Sequence, residues 1–198
     1  MKTNLPHQDT LPRSELSLPC EPARTGCWLR EPEDDDVQDI VAWLARPGIH
    51  SWFDFGEGRQ TLPALALQAM LQGRRHRIRV FGPDGHRAAS GLVAVSDVTH
   101  RFSTGSFWVL RDSLRPACRD MTYQASTRIL QQAFACDRLA SITAWAVLCN
   151  LRSRRLLKRI GFRAIGMQRD CHVIQGTRTG RMLYDLLPHE LTVVQDNS

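Results

Sequence analysis

The alternation of apolar and polar side chains divides the chain, after residue 27, into short strands and amphipathic helices. Residues 28–30 predict a strand, and apolar positions at 37, 40, 41 and 44 have helical spacing directly after three aspartates. Acidic side chains in a first turn favour the positive end of a helix. A second helix is predicted over 63–72, with Thr61 before it and Gly73 at its end.

A run of strands comes next. Residues 77–81 alternate, residues 82–85 carry a turn signal, and residues 91–95 and 106–110 are typical of buried strands. Apolar positions between 121 and 134 then trace one face of a long helix.

The last third of the chain continues the alternation of strand and helix. Residues 142–147 predict a strand, Asn150 can cap a helix that ends at Gly161, and two strands are predicted near 162–173 and 180–187. The order βααβββαβαββ predicts an α/β fold in which helices pack on the faces of a central mixed β-sheet.

The first residues differ in composition from the rest. Residues 1–27 contain four prolines and no hydrophobic period, which predicts a flexible N-terminal arm, followed by one domain over 28–190 and a tail over 191–198. No stretch approaches the ~18 apolar residues of a spanning helix, and the start lacks the apolar core of a secretory signal. We therefore expect a cytoplasmic protein without a membrane partner.

The net charge leaves the kind of binding partner open, and the cysteine spacing indicates no metal site. The net charge of +6 suits either nucleic acid or a ligand that carries several phosphates. The six cysteines lie far apart and form no CxxC pair, which predicts reduced thiols and no metal.

One segment has a specific spacing. Residues 150–162 read NLRSRRLLKRIGF and resemble the N-x-x-S-x-x-x-L-x-x-x-G-F segment of the GNAT superfamily N-acetyltransferases, especially the ribosomal-protein N-acetyltransferase branch. The similarity extends over about 28–187, in register with the predicted strands and helices. It implies the GNAT acyl-CoA N-acyltransferase fold, with two splayed central strands, and acetyl-CoA or another acyl-CoA or phosphopantetheine thioester as co-substrate.

The resemblance also implies where this donor lies. Backbone groups at Val109 and Leu110 would hold the pantetheine arm like an added strand, and Asn150 and Ser153 would adjoin it. The pyrophosphate would lie on loop 115–120 at the start of the following helix. Phosphate-binding side chains in that loop would be Arg115 and Arg119.

The loop departs from the family pattern Q/R-x-x-G-x-G/A. Cys118 and Asp120 stand where glycine or alanine is expected, so the backbone carries side chains where it should approach phosphate closely. The pyrophosphate loop is therefore degenerate, which raises the alternative of a donor bound to an acyl carrier protein, whose acidic surface would suit the basic chain.

The residues for proton transfer are less well defined. Leu157 replaces a tyrosine that many GNAT enzymes use as an acid, and no carboxylate lies between 98 and 110. Asp97, at a strand end, and His172 are the catalytic candidates. Tyr184 and Asp185 are further candidates, although residues of all these kinds are more often structural. The aromatic residues of 52–55 lie in the region that shapes the acceptor pocket of the family. Clustered aromatic residues usually belong to the core, and a wall that packs on the acceptor is the alternative.

The function predicted from the resemblance is N-acyl transfer, in the first place N-acetyl transfer, from a pantetheine thioester to an amine by direct attack. The acceptor would be a small-molecule amine, an amino sugar or a protein N-terminus. A GNAT-derived regulatory module without activity is the alternative, and nucleic acid, reached through the basic helix 152–163, is the least favoured partner. Whether the protein forms a homodimer stays open.

We expect the Asn150→Ala variant to lose more donor affinity or turnover than stability. Loss of a helix cap alone costs about 1 kcal/mol, which thermal melting measures. Calorimetry with the donor measures the loss of affinity, and steady-state rates measure the loss of turnover. If only the melting temperature fell, Asn150 would be a cap and nothing more.

Overall fold

The structure is a computed structural model that describes residues 26–192. The predicted arm, apart from Gly26 and Cys27, lies outside the described residues, and so does the predicted tail beyond Thr192. Cys27 is buried and already belongs to the first strand, so the sheet begins one residue before the predicted domain boundary.

Within residues 26–192, seven strands form one mixed sheet in the order β1-β2-β3-β4-β5-β7-β6. All neighbours are antiparallel except β4 and β5, which are parallel. The α/β prediction and the predicted strand order along the chain are confirmed. The strands are β1 (Cys27–Arg30), β2 (His76–Pro83), β3 (Gly91–Ser96), β4 (Thr104–Arg111), β5 (Ser141–Val147), β6 (Arg163–Ile174) and β7 (Thr177–Leu186).

Helices cover both faces of the sheet. Ile40, Trp43 and Leu67 of the first face and Ile129 and Ile160 of the second are fully or almost fully buried against the strands. The four-residue helix α2 was not predicted because it is a single turn that begins at a proline. The helices are α1 (Asp34–Leu44), α2 (Pro47–His50) and α3 (Ala64–Gln72) on the first face, and α4 (Met121–Cys136) and α5 (Leu151–Ile160) on the second.

The start of α1 is fixed by a charged contact. Asp36 accepts a hydrogen bond from the backbone N–H of Glu33 at 2.7 Å and pairs with both terminal nitrogens of Arg30 on β1. The acidic first turn that the sequence predicts is therefore tied to the sheet, and α1 leaves β1 at a fixed angle.

The two parallel strands separate after three residue pairs. Thr104, Gly105 and Ser106 pair with residues 141–143, and beyond them β4 and β5 share no pairing. Each strand keeps its other neighbour, β3 for β4 and β7 for β5, along almost its whole length. The predicted splay of these strands is confirmed. We call the space between residues 107–111 and 144–147 the slot.

Helix α5 lies beside the slot and has the predicted ends. The side chain of Asn150 accepts a hydrogen bond from the N–H of Ser153 at 3.1 Å, so the predicted cap is confirmed. Gly161 ends the helix at φ 116°, and a Cβ there would lie 2.1 Å from the carbonyl oxygen of Glu190, so only glycine fits. Phe162 is then buried and stacks on Phe107 of β4. No helix within residues 26–192 is long and apolar enough to cross a membrane.

Candidate active site

The slot opens into a cavity of about 790 Å³ that reaches both faces of the sheet. On the α4 and α5 side it is lined by Asn150, Ser153 and Leu157, together with Thr122 at the start of α4. On the other side it is lined by aromatic residues and by the ends of β2 and β3. A cavity of this size, formed where two strands part, can hold a long ligand.

The wide end of the slot offers unpaired backbone donors. Within the described residues, the N–H groups of Thr122 and Tyr123 have no hydrogen-bond acceptor, because both precede the first intrahelical bond of α4, from Gln124 to Asp120. Such groups and the helix dipole favour an anion. The edge of β4 from residue 107 onward likewise lacks a strand partner on the slot side.

The degenerate loop has a defined conformation. Asp120 has φ 58°, in the left-handed region that favours glycine, and its carboxylate accepts a hydrogen bond from Arg159 of α5. This hydrogen bond lowers the pKa of Asp120, so the carboxylate is ionised. The thiol of Cys118 donates to the carbonyl oxygen of Gly26 at 3.2 Å, and burial raises its pKa, which does not favour a nucleophile.

The two loop arginines to which the resemblance gave a phosphate-binding role are not part of the lining of the slot. Arg115 donates to both carboxylate oxygens of Asp39 at 2.8 Å, which ties the loop to α1. Arg119 is 91% exposed and lies near Asp120. Neither lines the cavity, whereas Val109, Leu110, Asn150 and Ser153 all do. The donor-binding roles of all six stay predictions.

Polar side chains form a row across the sheet where the slot begins. His76 pairs with Ser96, Ser96 with Ser106, and Ser106 with Thr143, on four consecutive strands. Directly paired residues project to the same face. His76, Ser96 and Ser106 line the cavity, and the hydroxyl of Thr143 donates to the carbonyl oxygen of Gly105 at 3.1 Å. We call these four residues the polar row.

His76 is the titratable member of this row and was not predicted from the sequence. Its Nδ1 is buried and, among the described residues, has no hydrogen-bond partner. Burial lowers its pKa, an effect that Asp97 opposes and Arg75 reinforces. The only signal in the sequence was a histidine directly before the strand predicted over 77–81, which does not reveal the neighbouring strands.

The predicted catalytic residue Asp97 lines the same part of the cavity. Arg75 donates to the carboxylate of Asp97 at 2.6 Å, and the backbone of Asp97 has φ 62°. The ion pair fixes the turn after β3 to the start of β2, where the N–H of Val98 also donates to the carbonyl of Arg75. A catalytic role for Asp97 stays a prediction.

The predicted catalytic residue His172 lies behind the cavity wall and does not line it. Its Nδ1 accepts from the guanidinium of Arg181 at 2.8 Å, which leaves the proton on Nε2, 2.7 Å from the carbonyl oxygen of Ser51. Arg181 also donates to Asp54 at 2.7 Å and covers the ring of Trp145. Both ring nitrogens are engaged, so these contacts favour a structural role, and the catalytic role stays a prediction.

These contacts hold loop 51–60 to the last two strands. Burial alone would raise the pKa of Asp54, but hydrogen bonds from Arg181 and from the N–H groups of Gly56 and Gly58 hold it below its ordinary value. Gln60 adds a hydrogen bond to the carbonyl of Val173 at 3.0 Å. The loop is therefore fixed over the cavity.

The loop carries an aromatic wall. Phe53 and Phe55 stack with ring centroids 5.5 Å apart, and both meet Trp108 of β4 edge to face. Trp52 and Trp145 complete the wall, which we call the aromatic chamber. Residues 52–55 line the cavity. Their contact with an acceptor, which the resemblance offered as the alternative to a core role, stays a prediction.

A mixed sheet that opens between two parallel strands, with a helix N-terminus at the wide end, defines the acyltransferase class that the resemblance implied. The sequence profile of the acetyltransferase (GNAT) domain matches residues 27–163, more than half of the chain. The chain belongs to the GNAT acetyltransferase family. No protein of curated function matches the sequence.

Solved structures share this fold at low identity. Spermidine N-acetyltransferase from Vibrio cholerae, in complex with CoA and spermine, is 16% identical with a TM-score of 0.72, over 83% of this chain and 96% of that one. RimJ from Mycobacterium smegmatis, in complex with CoA-disulfide, is 19% identical with a TM-score of 0.65, over 85% of each chain. Ribosomal-protein-S5-alanine acetyltransferase from Vibrio fischeri is 18% identical with a TM-score of 0.66, over 84% and 96%.

Metal ligands and thiols add no further site. Residues 26–192 contain no group of three or more histidine, cysteine, aspartate or glutamate side chains that could hold a metal ion. None of the cysteines in that range is joined in a disulfide.

We expect His172 to make stability depend on pH. Burial lowers its pKa in the folded protein, so the unfolded chain binds the proton more readily. Its contribution is then complete above the ordinary pKa of about 6.5 and is lost as the pH falls through the lower folded value. Gln can accept from Arg181 and donate to Ser51 without titrating. His172→Gln should therefore lose less stability than the wild type between neutral pH and about pH 5.

Thermal or denaturant unfolding across this pH range makes the comparison. His86→Gln is the matched control, because His86 is an exposed turn residue. Equal losses for wild type and His172→Gln would contradict the assignment.

Proposed function

We propose that this protein is an N-acetyltransferase that binds acetyl-CoA in the slot and transfers the acetyl group directly to an amine. The observation that carries the proposal is the parting of β4 and β5 after three residue pairs, which leaves a strand edge open along a cavity. An extended amide-containing arm satisfies such an edge in the way an added strand does.

The two ends of the slot suggest the direction of the donor. Residues 107–111 extend over roughly 16 Å, at about 3.3 Å per residue, a length comparable with an extended pantetheine arm. With the pyrophosphate at the N–H groups of Thr122 and Tyr123, the thioester lies where the slot closes, beside Ser106 and the polar row. Arg152 and Arg159 on α5 provide positive charge near the wide end.

The chemistry follows from this placement. The amine nitrogen attacks the thioester carbonyl carbon, the C–N bond forms, and the C–S bond breaks with departure of the CoA thiolate. The nitrogen loses a proton, which needs an acceptor on the chamber side of the slot. No covalent link to the enzyme is needed.

His76 is the proton acceptor that the geometry supports best. It lies two strand spacings, about 10 Å, from Ser106, so water along the polar row carries the proton. Its lowered pKa keeps the ring neutral and able to accept a proton near neutral pH. Asp97 also lines the cavity, but one of its carboxylate oxygens accepts a hydrogen bond from Arg75 at 2.6 Å.

Asp120 favours a second donor class. Its carboxylate lies at the start of α4, where it repels a pyrophosphate, and it also engages Arg159. A phosphopantetheine arm on an acidic carrier protein carries one phosphate and meets less of this repulsion. The acyl-carrier donor therefore remains the alternative within the same reaction.

The reaction itself is tested by His76→Gln. We expect kcat to fall by about 10²-fold, because general-base catalysis contributes roughly 10²–10⁴-fold, while the KM for acetyl-CoA changes little. In the wild type, kcat/KM should rise with pH through a pKa below 6.5, and this limb should disappear in the variant. CoA release with a panel of amines, and mass spectrometry of the acetylated product, are the measurements.

His86→Gln is again the control, and Asp97→Asn is the competing variant, since asparagine tolerates the left-handed backbone. A loss confined to Asp97→Asn would transfer the base role to Asp97. Absence of any acetylated product, together with no binding of acetyl-CoA or an acyl carrier, would contradict the proposed function.

We expect Asp120→Gly to bind CoA several-fold more tightly than the wild type. Glycine adopts φ 58° without strain, removes the carboxylate and releases Arg159. Calorimetry at low and high ionic strength measures the change. Asp120→Asn separates the causes, because it removes the charge and keeps the side chain. If both variants bound CoA more weakly, the pairing with Arg159 would support the donor site instead of obstructing it.

A further inference from the structure

The aromatic chamber points to the class of acceptor. We propose that the acceptor is a small monoamine whose amino group is joined by a short linker to an aromatic or other apolar ring, and that the ring packs in the chamber. The inference rests on the proposed function and concerns the part of the cavity on the opposite side of the slot from α4 and α5.

The chamber presents carbon surface in a fixed arrangement. Three of the five tryptophans of the chain line the cavity, and the five aromatic rings that form the chamber are all only half-buried. Phe53 and Phe55 stand almost parallel, at 3° between planes, and Trp108 meets them at 82° and 81°. Edge-to-face and stacked contacts of this kind hold rings in place and leave faces that favour another ring.

The polar atoms of the chamber are largely occupied. The indole N–H of Trp52 donates to the carbonyl of Gly48 at 2.9 Å, and that of Trp108 donates to the hydroxyl of Ser96 at 3.0 Å. One face of Trp145 is covered by Arg181 at 3.9 Å. A polar acceptor such as an amino sugar would leave its hydroxyls without partners at these walls, which is costly.

The chamber also lacks the charge that a polyamine needs. The two carboxylates that line the cavity within the described residues are Asp54 and Asp97, and each is paired with an arginine. Asp54 additionally accepts from two backbone N–H groups, so its oxygens are occupied. A second or third ammonium group would meet the guanidinium of Arg75 without an unpaired carboxylate in reach.

The fixed loop favours a small acceptor over a peptide. Three hydrogen bonds tie loop 51–60 to β6 and β7, through Ser51, Asp54 and Gln60. The loop therefore gives the cavity a wall that is held in place and does not adapt to a long chain. A single ring with an aminoethyl arm fits against this wall, with its nitrogen directed to the polar row.

The experiment compares acceptors at a fixed acetyl-CoA concentration. The probes are 2-phenylethylamine, n-butylamine, spermidine, glucosamine and a hexapeptide that begins with alanine. We expect kcat/KM for 2-phenylethylamine to exceed each of the others by at least about tenfold, the discrimination that an apolar pocket achieves. Binding of 2-phenylethylamine without donor is measured separately by quenching of tryptophan fluorescence.

Variants of aromatic residues test whether the chamber determines the preference for 2-phenylethylamine. Phe55→Glu places an unpaired carboxylate in the chamber, and the ratio of kcat/KM for spermidine to that for 2-phenylethylamine should rise at least about tenfold. Phe55→Leu keeps the apolar character and shows whether the loop tolerates the change. Phe102→Ala is the matched aromatic control, because Phe102 is 65% exposed and lies outside the cavity.

The outcomes separate this inference from the proposed function. If spermidine, glucosamine or the peptide were the best acceptor, the acceptor class would be wrong although acetyl transfer would stand. If acetyl-CoA were bound and no probe were acetylated, the inference would also be overturned. If no donor were bound while 2-phenylethylamine still quenched fluorescence in the wild type and not in Phe55→Glu, the proposed function would fail and the binding site would remain.

Discussion

The slot can exist because the strands on either side of it are hydrogen-bonded to other strands, β1 to β4 forming one half of the sheet and β5 to β7 the other. β4 is held by β3 along its length and β5 by β7 along its length, so the parting of β4 and β5 removes only the ladder between the halves. Unpaired backbone groups inside a protein are costly, and here they face a cavity that a ligand or water can enter. The open edge is thus compatible with a stable fold.

In the part of the chain that the structure describes, two ion pairs connect the halves across the slot, one on each face. Asp120 at the start of α4 pairs with Arg159 of α5, and Asp54 of loop 51–60, which packs on β4, pairs with Arg181 of β7. The first pair is largely exposed, and exposed pairs contribute little to stability. The second is mostly buried, and each partner has further hydrogen bonds, without which a buried pair is unfavourable. The chamber side is therefore the more rigid side of the slot.

The fold could be predicted from the sequence because its signals are local. Apolar periodicity, caps such as Asn150 and stops such as Gly161 lie within one element, and the matching segment lies within thirteen residues. The site could be predicted only where it coincides with such a segment. The pair of Asp54 and Arg181 joins residues 127 positions apart, and the polar row needs the register of four strands. His172 is a catalytic candidate in the sequence because of its residue type. In the structure Arg181 and Ser51 engage both of its ring nitrogens, and the sequence does not show these partners.

The replacement of the usual tyrosine by Leu157 fits the balance of proton affinities in the reaction. A thiol has a pKa near 8.5 and an alkylammonium group near 10. The leaving thiolate is thus stable enough to depart near neutral pH with only water at hand, whereas the amine cannot attack until it has lost a proton. The reaction therefore needs a base for the amine more than it needs an acid for the thiolate. The structure is consistent with this order, since Leu157 lines the slot without a proton to give, while the imidazole of His76, with its lowered pKa, lines the cavity at the end of the polar row.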